Sequence, residues 1–212
     1  MKKLLMVSLA VFLLTEATAQ RYPKEGAQEN ETLFRNPSHV GWYVGPEFGY
    51  TRFTNQDVFL SGLSGGVIFN HNFSLGLGGF GIMNTGNLKY SDISDTEDLY
   101  LYGGWGGLKL EYRIEPQRAV HLSFPLLIGG GGLSYSKYNW KDYDTGMEDG
   151  NYASDSFFVV EPGVMLGLNL IKFMRLDIGI SYRYAPNVDL PKTSTGIINT
   201  FNGVASLKFG KF

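Results

Sequence analysis

The segment from Met174 to Tyr184 alternates without a break. Met174, Leu176, Ile178, Ile180, Tyr182 and Tyr184 share one parity, and Arg175, Asp177, Gly179, Ser181 and Arg183 share the other. A period of two is the mark of a β-strand whose two faces meet different environments. Seven further segments after Val40 carry the same period. Gly41 to Phe53 sets Trp42, Val44, Pro46, Phe48 and Tyr50 against Tyr43, Gly45, Glu47, Gly49 and Thr51. Val58 to Asn70 aligns Phe59, Leu63, Val67 and Phe69, and Phe73 to Asn84 aligns Phe73, Leu75, Leu77 and Met83. Leu99 to Ile114 places Tyr100, Tyr102, Leu108, Leu110, Tyr112 and Ile114 opposite Lys109, Glu111 and Arg113. Ala119 to Lys137, Phe157 to Asn169 and Ile198 to Phe212 complete the set. Inside the fifth segment the run Gly129 to Gly132 predicts a bulge. Pro46, Pro125 and Pro162 lie within segments and predict bulges or irregular pairing, because proline donates no ladder hydrogen bond.

These segments are longer than the five or six residues typical of soluble strands and long enough to cross hydrocarbon when tilted. Aromatic residues gather near their ends, among them Trp42, Tyr50, Phe73, Tyr112, Tyr184 and Phe209, which suits two interfacial girdles. The connections alternate in length. Those near Asn70–Asn72, Glu115–Arg118 and Leu170–Lys172 are tight, whereas Thr85–Asp98, Tyr138–Asp155 and Pro186–Gly196 are long. Thr54–Asp57 is the one short connection on the long side. The expectation is an all-β chain forming an eight-stranded antiparallel up-and-down transmembrane β-barrel. A soluble lipocalin-like barrel is the competing architecture, since parity alone does not say which face is inside.

The first residues read as targeting. Lys2 and Lys3 precede an apolar run, Leu4 to Leu14, followed by Ala17-Thr-Ala19, the order of a cleaved secretory signal. The run is too short for a membrane helix. Residues 1–19 are therefore expected to be a signal peptide, 20–39 a flexible periplasmic segment and 40–212 the barrel. The chain has no cysteine, which removes disulfides and thiolate metal sites. Without the signal its net charge is about −3, which does not favour nucleic acid.

The charge-bearing parity holds Glu47, Glu111, Glu161 and Asp177 with Lys109, Arg113, Arg175, Arg183 and Lys208. An eight-stranded barrel has an interior wide enough for little more than its own side chains. Buried charges must therefore pair, so a plugged interior carrying a salt-bridge network is expected rather than a pore.

The signal, the alternating segments and the terminal Phe212 together resemble the small outer-membrane β-barrels of the OmpX/OmpA type, over residues 40–212. The resemblance implies a bacterial outer-membrane location with both termini in the periplasm, contact with outer-membrane lipid and a monomeric barrel; it carries no activity over, and the expectation is a non-enzyme without a cofactor. It also implies Phe212 as an assembly signal, although Phe212 is out of phase with the apolar face of Ala205, Leu207 and Phe209. The expected role is structural, or in surface interaction through the extracellular loops, where Tyr138, Trp140 and Tyr143 lie. An extracellular or envelope protein is the partner class this leaves. Alternatives are a subunit of a larger envelope complex and an outer-membrane lipid-modifying enzyme. Asp142, Asp144 and Asp149 offer oxygen ligands for calcium, as do Asp92, Asp95, Glu97 and Asp98, but a solvated acidic loop explains both groups. Gly76 to Gly81 matches G-x-G-x-x-G inside a strand pattern, so it is read as easing curvature or leaving space, not as a dinucleotide site. His39, His71 and His121 all fall at the tight-turn end, away from the outer rim where a lipid-modifying enzyme would work. His121 and Ser123 are two residues apart on a strand and form no catalytic triad with Asp.

Overall fold

A computed structural model describes residues 39–53, 56–83, 99–136, 151–186, 188–191 and 196–212. The chain divides into Met1–Asn36 and Pro37–Phe212. The first unit, and with it the expected signal and nearly all of the N-terminal segment, lies outside the described residues, as do both acidic loop clusters.

Eight strands follow one another: β1 (Val40–Phe53), β2 (Gln56–Phe69), β3 (Phe73–Met83), β4 (Tyr100–Ile114), β5 (Val120–Ser136), β6 (Asn151–Ile171), β7 (Met174–Arg183) and β8 (Thr200–Lys211). Each pairs antiparallel with the next, and β8 returns to β1 through Trp42↔Lys211, Val44↔Phe209 and Tyr50↔Gly203, closing the barrel. Closure leaves no free sheet edge. Three connections at one end are tight: Asn70–Asn72, Glu115–Ala119 and Lys172–Phe173. In the first, Asn70 and His71 both adopt positive φ, as does Glu115 in the second. Asn70 N–H donates to His39 O at 2.9 Å, and the His39 and His71 rings stack with centroids 4.0 Å apart. Burial, and then the neighbouring His39, hold the His71 imidazole below its ordinary pKa.

The faces sort inside out. Leu77 and Phe201 are each 67% exposed and Leu63 is 61% exposed, whereas Glu47, Arg113 and Arg183 are 0% exposed. An apolar outer face around a charged inner face is stable only where the surroundings are apolar, so the barrel is a transmembrane one and not a lipocalin-like carrier. Every segment with clean alternation has its apolar parity on the outside.

Two expectations change, and the one for the prolines is met as irregular pairing rather than as bulges. No bulge occurs at Gly129–Gly132: Gly129↔Val159, Gly131↔Phe157 and Leu133↔Asp155 keep one register, and the shift falls later, between Tyr135 and Ser136. The prolines interrupt pairing without shifting it. The β1–β8 ladder skips Gly45 and Pro46, the β5–β6 ladder skips Phe124 and Pro125, and both resume in the same register. The missing N–H removes a rung locally, while the neighbouring rungs hold the register. Finally, β6 begins at Asn151, inside the span expected to be a loop, because it runs alongside the long β5 as far as Ser136.

The interior is not uniform. Its loop end holds an apolar cluster that includes Phe53, Val58, Leu60, Leu99, Leu101, Leu133, Tyr135, Phe157 and Val159. The connection from β7 to β8 contributes Ala185, Val188, Leu190, Ile197 and Ile198 to the same cluster. Those five residues of the connection are therefore packed into the interior of the barrel. Ile198, expected to open the last strand, lies in a turn, and β8 starts at Thr200.

Candidate functional site

The inward parity of β4 brings Lys109, Glu111 and Arg113 to the tight-turn half of the interior. β7 adds Arg175 and Asp177, β8 adds Lys208, and β1 adds Glu47. All are buried. Lys208 is the hub: its Nζ lies 2.6 Å from Glu111 Oε2 and 2.6 Å from Asp177 Oδ2, and 5.0 Å from the centroid of the Tyr43 ring. Arg113 Nε meets Glu111 Oε1 at 2.9 Å, and its Nη2 donates to Ser74 Oγ at 3.1 Å. Lys109 pairs with Glu47, whose Oε1 also accepts from Ser64 Oγ at 2.8 Å and Ser206 Oγ at 3.1 Å. Gly78 makes room for this pair, since a Cβ there would lie 3.1 Å from Lys109 Cδ. Within the G-x-G-x-x-G match Gly78 thus leaves space for a side chain, whereas a Cβ at Gly76 would meet the backbone of β2 at Gly65 and Gly66.

Where the charged half gives way to the apolar half stands Glu161. It accepts from Ser181 Oγ at 2.6 Å, Asn202 Nδ2 at 2.8 Å and Trp105 Nε1 at 3.1 Å, and pairs with Arg183 Nε at 3.3 Å. The Arg183 guanidinium lies 3.7 Å over the Trp105 ring, a desolvated cation–π contact. Beside this group is a cavity of about 20 Å³ lined by Lys109, Glu161, Ser181, Phe80, Leu127 and Val204, room for roughly one water.

The nine charged residues read from the sequence thus form two groups, seven around Lys208 and Lys109 and two at Glu161–Arg183. Sequence reasoning missed the neutral residues that complete them: Ser64, Ser74, Trp105, Ser181, Asn202 and Ser206. All carry the inward parity of their strands, and that parity was the signal available. Phe212 also lies on the inward side. Its ring is 4.3 Å from Arg175 Cζ, whereas Phe209 and Leu207 face outward with Phe201. Asp142, Asp144 and Asp149 lie outside the described residues, and among the described residues no three His, Asp or Glu side chains gather as metal ligands.

No protein-family model and no curated protein matches the sequence. Among solved structures, the chain is similar to Neisserial surface protein A at 16% identity, covering 82% of this chain and 97% of that one with a TM-score of 0.47. It is similar to the N-terminal β-barrel domain of Pseudomonas aeruginosa OprF at 12% identity, covering 79% and 96% with a TM-score of 0.46. A major outer membrane protein of Thermus thermophilus is 11% identical, covering 81% and 98% with a TM-score of 0.45. The assignment of the fold rests on the closed sheet of this chain itself.

Proposed function

We propose that the protein is a non-conducting barrel of a bacterial outer membrane, with its tight turns in the periplasm, acting as a structural or surface-interaction protein through its outer loops. One observation carries this reading: inward side chains of the described strands meet one another across the lumen, charge on charge in one half and apolar on apolar in the other. A lumen filled in this way leaves the loops and rims as the places where another molecule is met. Catalysis has no part in the proposal. His121, Ser123 and Asp177 are enclosed in the wall of the lumen, away from any substrate at the outer rim. Phe212 is offered in the same reading as an assembly signal, read through its contact with Arg175 rather than through the apolar outer face.

The test is conductance. The purified barrel, refolded into planar bilayers, is expected to give no steady single-channel current, and to migrate anomalously on gels until boiled. Reproducible channels from the native chain would overturn the plugged reading. Cross-linking in cells tests the surface role, and recovery of a stoichiometric envelope assembly would replace it with the subunit reading. A change in lipid A composition on deletion would favour an enzyme instead.

A further inference from the structure

The charge ledger of the tight-turn half does not close. It holds four cations, Lys109, Arg113, Arg175 and Lys208, against three carboxylates, Glu47, Glu111 and Asp177. Each carboxylate has a cation within bridging distance. Arg175 has none within 4 Å among the described residues. Its Nε donates to Asn169 Oδ1 at 2.7 Å and its Nη2 to Pro116 O at 3.3 Å, both neutral acceptors. Among the described residues its Nη1 is buried without a hydrogen-bond partner, and so is Arg113 Nη1; the Phe212 ring lies 4.3 Å from Arg175 Cζ.

Two more polar groups share this neighbourhood. Ser123 is the cross-strand partner of Arg113, and His121 stands two residues along the same inward face. Ser123 is 0% and His121 is 5% exposed, and among the described residues neither Ser123 Oγ nor a His121 ring nitrogen meets a side-chain hydrogen-bond partner. His121 pairs across the sheet with Gly167, and Gly167 with Asp177. A Cβ at Gly167 would overlap His121 Nε2 and lie 2.8 Å from Asp177 Oδ1, so this glycine keeps the space between the two groups open. Two carboxylates border the group: Glu111 Oε1 is taken up by Arg113 Nε at 2.9 Å, and Lys208 covers Glu111 Oε2 and Asp177 Oδ2.

We propose that Arg113, Ser123, His121 and Arg175 form a buried site for one small monovalent anion, of the chloride class. Water could satisfy the donors, but it does not offset a buried positive charge, and an anion does both. Each guanidinium presents one free nitrogen rather than a fork. Single donors from several directions suit a monatomic anion, whereas a carboxylate or phosphate draws the bidentate fork.

The refolded full chain tests this by urea unfolding at constant ionic strength, with sodium chloride replaced stepwise by sodium gluconate. The midpoint is expected to rise with chloride along a single-site isotherm, and Arg175→Gln is expected to abolish the dependence. Equal midpoints in the two salts, or full chloride dependence in Arg175→Gln, would overturn the site. Should Arg175→Gln fail to fold, Ser123→Ala serves. It removes one neutral donor and is expected to weaken the apparent chloride affinity by about fivefold, the cost of one hydrogen bond, and an unchanged affinity would count against the site. Bromide-soaked crystals give an independent reading: an anomalous peak beside Arg175 Nη1 supports the site and its absence rejects it.

Discussion

The tight-turn half and the loop half of the lumen solve one problem by different physics. Both must fill a narrow barrel. The loop half does it with Phe53, Leu101, Leu133, Tyr135 and Phe157, helped by Val188, Leu190 and Ile198 from the β7–β8 connection. Apolar packing has no direction, so these side chains need only volume and shape. The tight-turn half does it with charge, and there each group is held by named partners. Glu111 answers Lys208 and Arg113, and Glu47 answers Lys109, Ser64 and Ser206. The lesson is one of tolerance. The apolar half should lose stability gradually with each deletion, whereas in the charged half removing one member strands others in a low dielectric.

The largest effect is expected at the hub. Lys208→Met leaves Glu111 without its lysine and Asp177 without a bridging cation, and should lower the unfolding free energy of the refolded barrel by about 3–5 kcal/mol. Equilibrium urea titration in lipid vesicles measures it, and a loss below about 1 kcal/mol would erase the contrast between the halves. Next comes Leu101→Ala in the apolar half, expected to cost about 2–4 kcal/mol by lost transfer energy and a residual cavity, without altering the anomalous gel migration. The finest test is a double-mutant cycle on Glu47→Gln and Lys109→Met. Gln keeps an acceptor for Ser64 and Ser206 while removing the charge. The pair should show a coupling of about 1–3 kcal/mol, the double variant losing less than the sum of the singles. An additive cycle would mean that Glu47 and Lys109 are independent, and the charged half would then be no less tolerant than the apolar one.

Legibility followed the same division. In the charged half the two faces differ strongly, as in β7, where Arg175, Asp177 and Arg183 alternate with Leu176, Ile178 and Ile180. There the sequence displayed strand and phase together, and set the charged residues on one parity. In the loop half both faces are apolar. Tyr100-Leu-Tyr102 and Phe157-Phe-Val-Val160 carry no contrast of their own, so the inward places of Leu101, Trp105, Phe157 and Val159 were legible only by extending the parity of Glu111 and Glu161 along their strands. The same loss of contrast made Gly129–Gly132 look like a bulge, when Leu127 and Leu133 on either side keep one phase. Strand β6 was cut short at its beginning for this reason, since polar Ser154 and Ser156 resemble a loop until β5 is seen beside them.

By itself the sequence determined the number of strands, their order, the alternation of tight and long connections, and the charged residues that share one parity. Those follow from the two-residue period and from turn chemistry, which are local. The tertiary structure alone decided which parity faces inward, because inside and outside exist only once β8 has closed onto β1. It alone decided the partners as well. Lys208 meets Glu111 across 97 residues of sequence, and Trp105 meets Glu161 across 56, distances that only the curvature of the closed sheet removes. The cation left over at Arg175 is of the same kind: composition shows charges nearly balanced, and only their placement shows where they are not.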